Sequence, residues 1–341
     1  MAPKTRIKDI ARELNIAPAT VSRALSSSGL VAEPKLSLIR QKAAEMNYRP
    51  NVQARSLRTQ RSMSILVAVR DIGNPFYLEV FKGVEAVARE QGYSALMVNT
   101  DGKAEREQNC FEMLHDGHAD GMILMTGNLP DKKEINTRNI VVALEGIDSE
   151  EISQVLIDNA AAVRQAVDHL VGLGHSRIAH IRGPVGEGMS EKRDKGFRAA
   201  LAAHDIPLRE DYQQRGDYNF EAAKVATDTL LDLPEPPTAI FASNDEMAIG
   251  VLSTAQERGL RIPQDLSVVG LDDIYLSRAV FPALTTVSQP RADIGQCAMT
   301  TLLAQLNGDA LCGQQLFPTH LVERATTGAP SNSNMKQEKE T

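Results

Sequence analysis

Apolar positions along the chain follow two different patterns, and each predicts its own architecture. Beyond residue 62, short apolar, β-rich runs alternate with helical stretches. One set of runs covers residues 65–69, 95–98, 121–125, 140–143 and 155–157; a second covers 178–181, 212–215, 239–241, 267–269 and 286–288. Helical stretches such as 81–91 and 163–172 lie between them, which predicts right-handed strand–helix–strand crossovers. The expected fold class is α/β, with two doubly wound parallel-sheet lobes in residues 63–330 and a polar, charged, disordered tail at 331–341. In such lobes a ligand belongs at the carboxyl ends of the strands, and with two lobes facing each other it belongs in the cleft between them.

Residues 1–50 read differently. A short amphipathic helix from Ile7 to Leu14 runs through Asn15, suited to an awkward turn, into a second helix with Pro18 at its first position, where a missing N–H costs nothing. Thr5 is available to cap the first helix. Val21 and Leu25 lie four apart and face inward, while Ala19, Thr20 and Arg23 share the opposite face. A third helix opens at Pro34, ends near Asn47, and supplies Leu38, Ile39, Ala43 and Met46 to a small core. This is the form of a helix-turn-helix unit in a three-helix head, and its outward face suits a DNA major groove. Arg23 can pair with guanine N7 and O6 or with a phosphate, Ala19 beside Pro18 can meet a thymine methyl, and the hydroxyls of Thr5, Thr20 and Ser22 can serve phosphates.

Charge points the same way. Residues 1–62 carry twelve Lys or Arg against four Asp or Glu, a charge of +8; the rest of the 341-residue chain carries 25 basic and 40 acidic groups, −15, within a total of −7. A basic head gains from releasing DNA counterions, whereas the acidic body is repelled by phosphate. Residues 51–62 are expected to form a hinge helix and linker. Asn51 can cap a helix of about two turns, far short of the ~12–15 residues that an isolated helix needs in water. A pair of such helices can lie in a minor groove with Leu57 wedged into a base step, which makes Asn51, Ala54, Leu57 and Arg58 candidate DNA contacts. The plain alternatives are a linker whose leucine packs on the body, and a head that docks protein through a solvated basic face.

The string from Ala19 to Leu25, then Asn47-Tyr48-Arg49-Pro50-Asn51, then Ala54-Arg55-Ser56-Leu57, resembles the LacI/GalR family of bacterial transcription regulators. Nearly the whole chain takes part, through Asn74-Pro75-Phe76-Tyr77, Asn244-Asp245-Glu246-Met247-Ala248, Gly270-Leu271-Asp272-Asp273, Leu284 to Pro290 and the closing Leu321-Val322-Glu323-Arg324. The stretches around Asp71 to Glu79 and Gly216 to Pro237 look most like its cytidine-repressor branch. The resemblance implies lobes of the type I periplasmic-binding-protein kind, a homodimer on operator DNA, and a small-molecule effector, with Arg193, Asn244 and Asp272 at the family's effector-contacting positions.

The body's strand ends carry matching chemistry. Phe76 and Tyr77 follow the first strand, Glu145 the fourth, Tyr218 the run 212–215, Asn244 the run 239–241 and Asp272 the run 267–269; Arg193 opens a helix after 178–181. A guanidinium, an amide and two carboxylates around aromatic faces suit a polyhydroxylated ligand, a sugar or nucleoside. Each has a local alternative: Asn244 and Asp245 as a helix cap, Asp272 as half of a turn with Asp273, Arg193 in a surface ion pair, Tyr77 in the core.

Two departures from the family pattern concern DNA. Pro18-Ala19 replaces bulkier polar reading residues, and Ala32-Glu33-Pro34-Lys35-Leu36 lacks the usual capping hydroxyls, leaving Glu33 to cap the third helix. No Walker-type phosphate loop or nucleophile elbow is present, so no enzyme is expected, and no cofactor. His115 and His118 sit three apart without a partner motif and read as surface residues; His169, His175 and His180 complete no ligand set. Cys110, Cys297 and Cys312 are widely spaced and read as reduced thiols. With no signal peptide or membrane run before the head, a cytoplasmic location is expected. The resulting expectation is a ligand-responsive transcriptional repressor of transport or catabolic genes; the alternative is a cytoplasmic small-molecule sensor acting through protein contacts.

Overall fold

The computed structural model describes residues 5–25, 31–49, 61–127, 129, 137–309 and 312–331. The candidate contacts Asn51, Ala54, Leu57 and Arg58, and the tail from residue 332 on, lie outside the described residues. The chain divides into two compact units, Met1–Ser62 and Met63–Thr341.

In the first unit, α1 (Ile7–Glu13), α2 (Pro18–Leu25) and α3 (Lys35–Glu45) close around buried Ile10, Ala11, Val21, Ala24, Ile39 and Ala43. Asn15 and Asn47 both take φ of 50°, and the next amides, Ile16 and Tyr48, bond back to the Ala11 and Ala43 carbonyls, so each helix ends in the hydrogen-bonded reversal that left-handed asparagine permits. Thr5 does not cap α1. The cap position is Arg6, whose N–H is received by the Asp9 carboxylate at 2.9 Å, while the Thr5 hydroxyl donates to the Met46 carbonyl at 2.9 Å and ties the chain start to the end of α3. Leu38 is not core either, at 52% exposed. Adjacent helical residues point about 100° apart, so once Ile39 and Ala43 define the inward stripe Leu38 must turn outward. Glu33 does serve α3, accepting the Ser37 N–H at 3.1 Å and its hydroxyl at 2.6 Å.

The second unit has two lobes. The first begins with β1 (Ser64–Val69), α4 (Pro75–Glu90), β2 (Ser94–Asn99), α5 (Ala104–His115), β3 (Gly121–Leu124), β4 (Ile140–Ala143) and β5 (Ser153–Ile157). The second holds α6 (Asn159–Gly172), β6 (Ile178–Arg182), α7 (Gly188–Ala203), β7 (Gln213–Arg215), α8 (Phe220–Leu231), β8 (Ala239–Ala242), α9 (Asp245–Glu257), β9 (Ser267–Asp272), α10 (Tyr275–Ala279) and β10 (Thr285–Ser288). The chain then returns to the first lobe through α11 (Arg291–Leu306) and β11 (Gln314–Phe317) and closes with β12 (His320–Val322) in the second. Both sheets are six-stranded, ordered β11-β5-β4-β3-β1-β2 and β12-β10-β9-β8-β6-β7, and parallel except for β12 against β10.

Inner strands such as β1, β3, β4 and β8 are apolar because helices cover both faces of the sheets. Ile65, Val67 and Val69 of β1 face one core cluster, and Leu66 and Ala68 face another. Two elements escaped the pattern reading. β11 is an exposed edge strand, with Leu316 at 60% exposure, and β12 is a three-residue edge; neither carries the doubly buried signature of the inner strands.

Candidate effector cleft and nucleic-acid face

Strand ends from both lobes converge on one cleft with two adjoining chambers of about 90 and 230 Å³, which share Arg70, Tyr77, Met125, Met189 and Tyr218 as walls. Phe76, Tyr77, Arg193, Tyr218, Asn244 and Asp272 line the smaller chamber; Glu145 lines the larger. All seven residues singled out at strand ends are therefore brought together.

The second lobe presents groups already held in place. Arg193 is only 2% exposed, so a surface ion pair is set aside. Its Nε donates to Asn159 Oδ1 at 2.9 Å, another N–H donates to the Ser243 carbonyl, and the guanidinium lies 5.8 Å from the centre of the Tyr218 ring. Asn244 takes both roles considered for it: its Oδ1 accepts the Met247 N–H at 2.9 Å to cap α9, and the residue lines the smaller chamber. Asp272 is the last residue of β9 rather than a residue beyond it, and it does turn the chain with Asp273, at φ of 130° and 55°. Its neighbours take the structural duties. Asp245 accepts from the Ile274 amide and the Thr286 hydroxyl, and Asp273 accepts from Arg324 and Ser277. Among the described residues Asp272 keeps one side-chain donor, Gln289 at 2.7 Å. Burial pushes its carboxyl above the ordinary carboxylate range, against the opposing pull of Arg193 and with the nearby Asp245 charge adding to the rise.

Aromatic walls complete the chamber. Phe76 and Tyr77 meet edge to face at 5.4 Å between ring centres. Burial raises the Tyr77 hydroxyl and pushes Tyr218 up to about 12, so both stay protonated donors at neutral pH. Tyr218 can occupy its place because residue 183 is glycine: a Cβ there would fall 2.4 Å from the ring. Glu145 stands similarly over Gly127, where a Cβ would come within 2.3 Å of its chain. Glu145 accepts the Met189 N–H at the start of α7, which joins the two lobes; burial raises its carboxyl.

The walls also hold charged residues beyond the seven expected. Arg70 and Glu187 form an ion pair from one lobe to the other, and Glu107 faces the larger chamber. Arg70 follows β1 as directly as Glu145 follows β4, so the strand-end rule could have found it. Glu107 lies inside α5 and gave no such signal.

On the head, Pro18, Ala19 and Arg23 are exposed, and Thr20 and Ser22 are half-buried on the same helix. The histidines divide: His115 and His118 are exposed, but His175 is buried against Thr238, Ser267 and the Gly328 carbonyl, and His180 stacks against both Phe197 and Phe241. All three cysteines are free thiols. Among the described residues no helix is long and apolar enough to cross a membrane.

A helix-turn-helix head and a two-lobed ligand-binding body together define a class of one-chain regulators, and comparison with known proteins places the chain within it. Bacterial regulatory proteins of the lacI family match residues 6–51, and the periplasmic binding protein-like domain matches residues 167–327. The chain is 37% identical to the HTH-type transcriptional repressor CytR of Escherichia coli (strain K12), covering 95% of this chain and 96% of that protein. It is 36% identical to the ribose operon repressor of Halalkalibacterium halodurans, with 96% and 99% covered. The structure of the lac repressor dimer bound to operator and the anti-inducer ONPF superposes with a TM-score of 0.85 at 28% identity, covering 96% of this chain and all of that one. The chain belongs to the lacI family of bacterial regulatory proteins, and these relatives are transcriptional repressors rather than enzymes.

Proposed function

We propose that this chain is a homodimeric, ligand-responsive repressor of transport or catabolic genes that acts in the cytoplasm and releases its operator when a sugar or nucleoside fills the cleft. The observation that carries the reading is the convergence of Arg193, Asn244, Asp272 and the Tyr77 and Tyr218 rings on one enclosed chamber. Asp272 and Glu145 accept ligand hydroxyls, Arg193 and Asn244 donate, and Phe76, Tyr77 and Tyr218 lie against the ring. Arg23, Ala19 and Pro18 meet base edges, Thr5, Thr20 and Ser22 reach phosphate, and paired hinges place Asn51, Ala54, Leu57 and Arg58 in the minor groove. Two heads on a dimer match two half-sites of a near-palindromic operator.

Regulation follows from linkage. The effector favours one closure of the lobes, bridged by Glu145 to the Met189 amide and by Arg70 to Glu187, and must bind the DNA-free state more tightly, with a coupling of ~1–3 kcal/mol. Salt-controlled selection of genomic fragments with purified protein, repeated with pooled sugars and pooled nucleosides, tests this. The expected result is palindromes beside transport or catabolic genes, displaced by one pool. No sequence enrichment would transfer the reading to a sensor acting through protein contacts.

A further inference from the structure

The larger chamber contains a group that the effector reading leaves unused. Glu107 of α5 is 2% exposed and lines this chamber, and among the described residues neither of its carboxylate oxygens has a hydrogen-bond partner. A buried carboxyl without a partner is unfavourable, so one on a cavity wall marks a place where the partner arrives from outside. It does not stand alone: the Thr126 and Tyr218 hydroxyls border the same chamber and are likewise buried without partners among the described residues. Of the other carboxylates of this wall, Glu145 is already engaged by the Met189 amide and Glu187 by Arg70, and Asp148 is exposed to solvent; Met125 and Ile147 add apolar surface.

We propose that this chamber is a second subsite of the effector cleft that receives an amino group, with Glu107 as its acceptor. The effector is then a molecule in two parts: a hydroxyl-bearing portion held by Arg193 and Asp272, and an aminated portion lying beyond Tyr77 and Tyr218. An ionised carboxylate accepts hydrogen bonds and offers none, so an N–H donor satisfies it while a carbonyl oxygen in the same place repels it. The two hydroxyls can each donate or accept, and so tolerate whatever flanks the amino group. An aminated nucleobase and an amino sugar share this chemistry. The inference rests on the effector reading above.

The test is calorimetric titration of the full-length protein with matched pairs, adenosine against inosine, cytidine against uridine and glucosamine against glucose, together with ribose. In one pair the aminated member should bind at least about tenfold more tightly, as expected for a charged hydrogen bond that its counterpart cannot make. Which pair it is identifies the source of the amino group. Glu107→Gln, whose carboxamide both donates and accepts, should bring that ratio close to one; if its melting shows that it does not fold, Glu107→Asp, which draws the carboxylate back by one methylene, should narrow the ratio in the same direction. Equal affinities within each pair, a ratio that survives Glu107→Gln, or binding of the unaminated sugars alone would overturn the subsite and leave the effector reading standing. Binding of none of the seven probes would count against both, and operator release by a different compound class would then separate them.

Discussion

The head and the cleft put function at opposite extremes of burial. The head residues proposed to meet DNA, Pro18, Ala19 and Arg23, are exposed on a helix whose small core is supplied by other positions such as Val21 and Ala24. Cleft residues such as Arg193, Asn244 and Asp272 are buried at 2%, 3% and 5% exposure, and two of them also hold the fold together, Asn244 as a helix cap and Arg193 as the partner of the Ser243 carbonyl. DNA is a large polyanion read from outside by side chains that need not be inside anything. A small ligand is gripped by groups removed from water, and groups such as Arg193 and Asn244 serve the fold's own polar atoms as well. Stability and function are therefore separable in the head and entangled in the cleft.

The sharpest way to break that contrast is Arg193→Ala. It should weaken effector binding by roughly 100-fold or more, through the loss of charged hydrogen bonds. It should also destabilise the body by about 1–3 kcal/mol, because the Ser243 carbonyl and the Asn159 amide oxygen lose their donor. Calorimetry and denaturant melts read the two losses, and a fall in affinity with an unchanged melt would refute the entanglement.

Arg23→Ala is the complementary experiment. Operator affinity should fall roughly 10- to 100-fold, the value of a bidentate base contact, with stability changed by less than about 0.5 kcal/mol and effector affinity unaltered. Normal operator binding would transfer the reading role elsewhere on α2.

A smaller effect sharpens the cleft itself. Burial raises the Asp272 carboxyl, so it holds a proton more readily than an ordinary carboxylate until a ligand binds. Ligand hydroxyls donate to the ionised form, so binding releases a proton. Affinity should rise as pH climbs from the ordinary carboxylate range through the raised value, and fall as pH drops back through it. Titrations in buffers of different ionisation enthalpy measure the released proton. Asp272→Asn, neutral throughout, should bind more weakly and lose the dependence.

Much of this was legible in the residues because local periodicity encodes faces. Asn15 and Pro18 mark a turn and a helix start through their own backbone preferences, and four-residue spacing puts Val21 inside and Arg23 outside whatever surrounds them. Continuous apolar runs mark the inner strands, and topology then dictates where their ends meet, which brings Tyr77, Glu145 and Asp272 to the cleft walls. The reading failed where a neighbour decides. Nothing near Leu38 says that Ile39 will take the single inward position, and nothing near Thr5 says that the Met46 carbonyl will claim its hydroxyl.

The kind of element at each point and the order in which elements follow are written into the chain locally, since both come from backbone preference and the spacing of apolar side chains. Which distant groups share a space is settled only when the lobes fold. Pairing of β11 with β5, the Arg70–Glu187 link between lobes, the buried stack of His180 and the lack of any partner for the Glu107 carboxylate among the described residues all depend on segments far apart in the chain. Whether a polar group is satisfied is set by what the fold brings within about 3 Å of it, and no local pattern carries that distance.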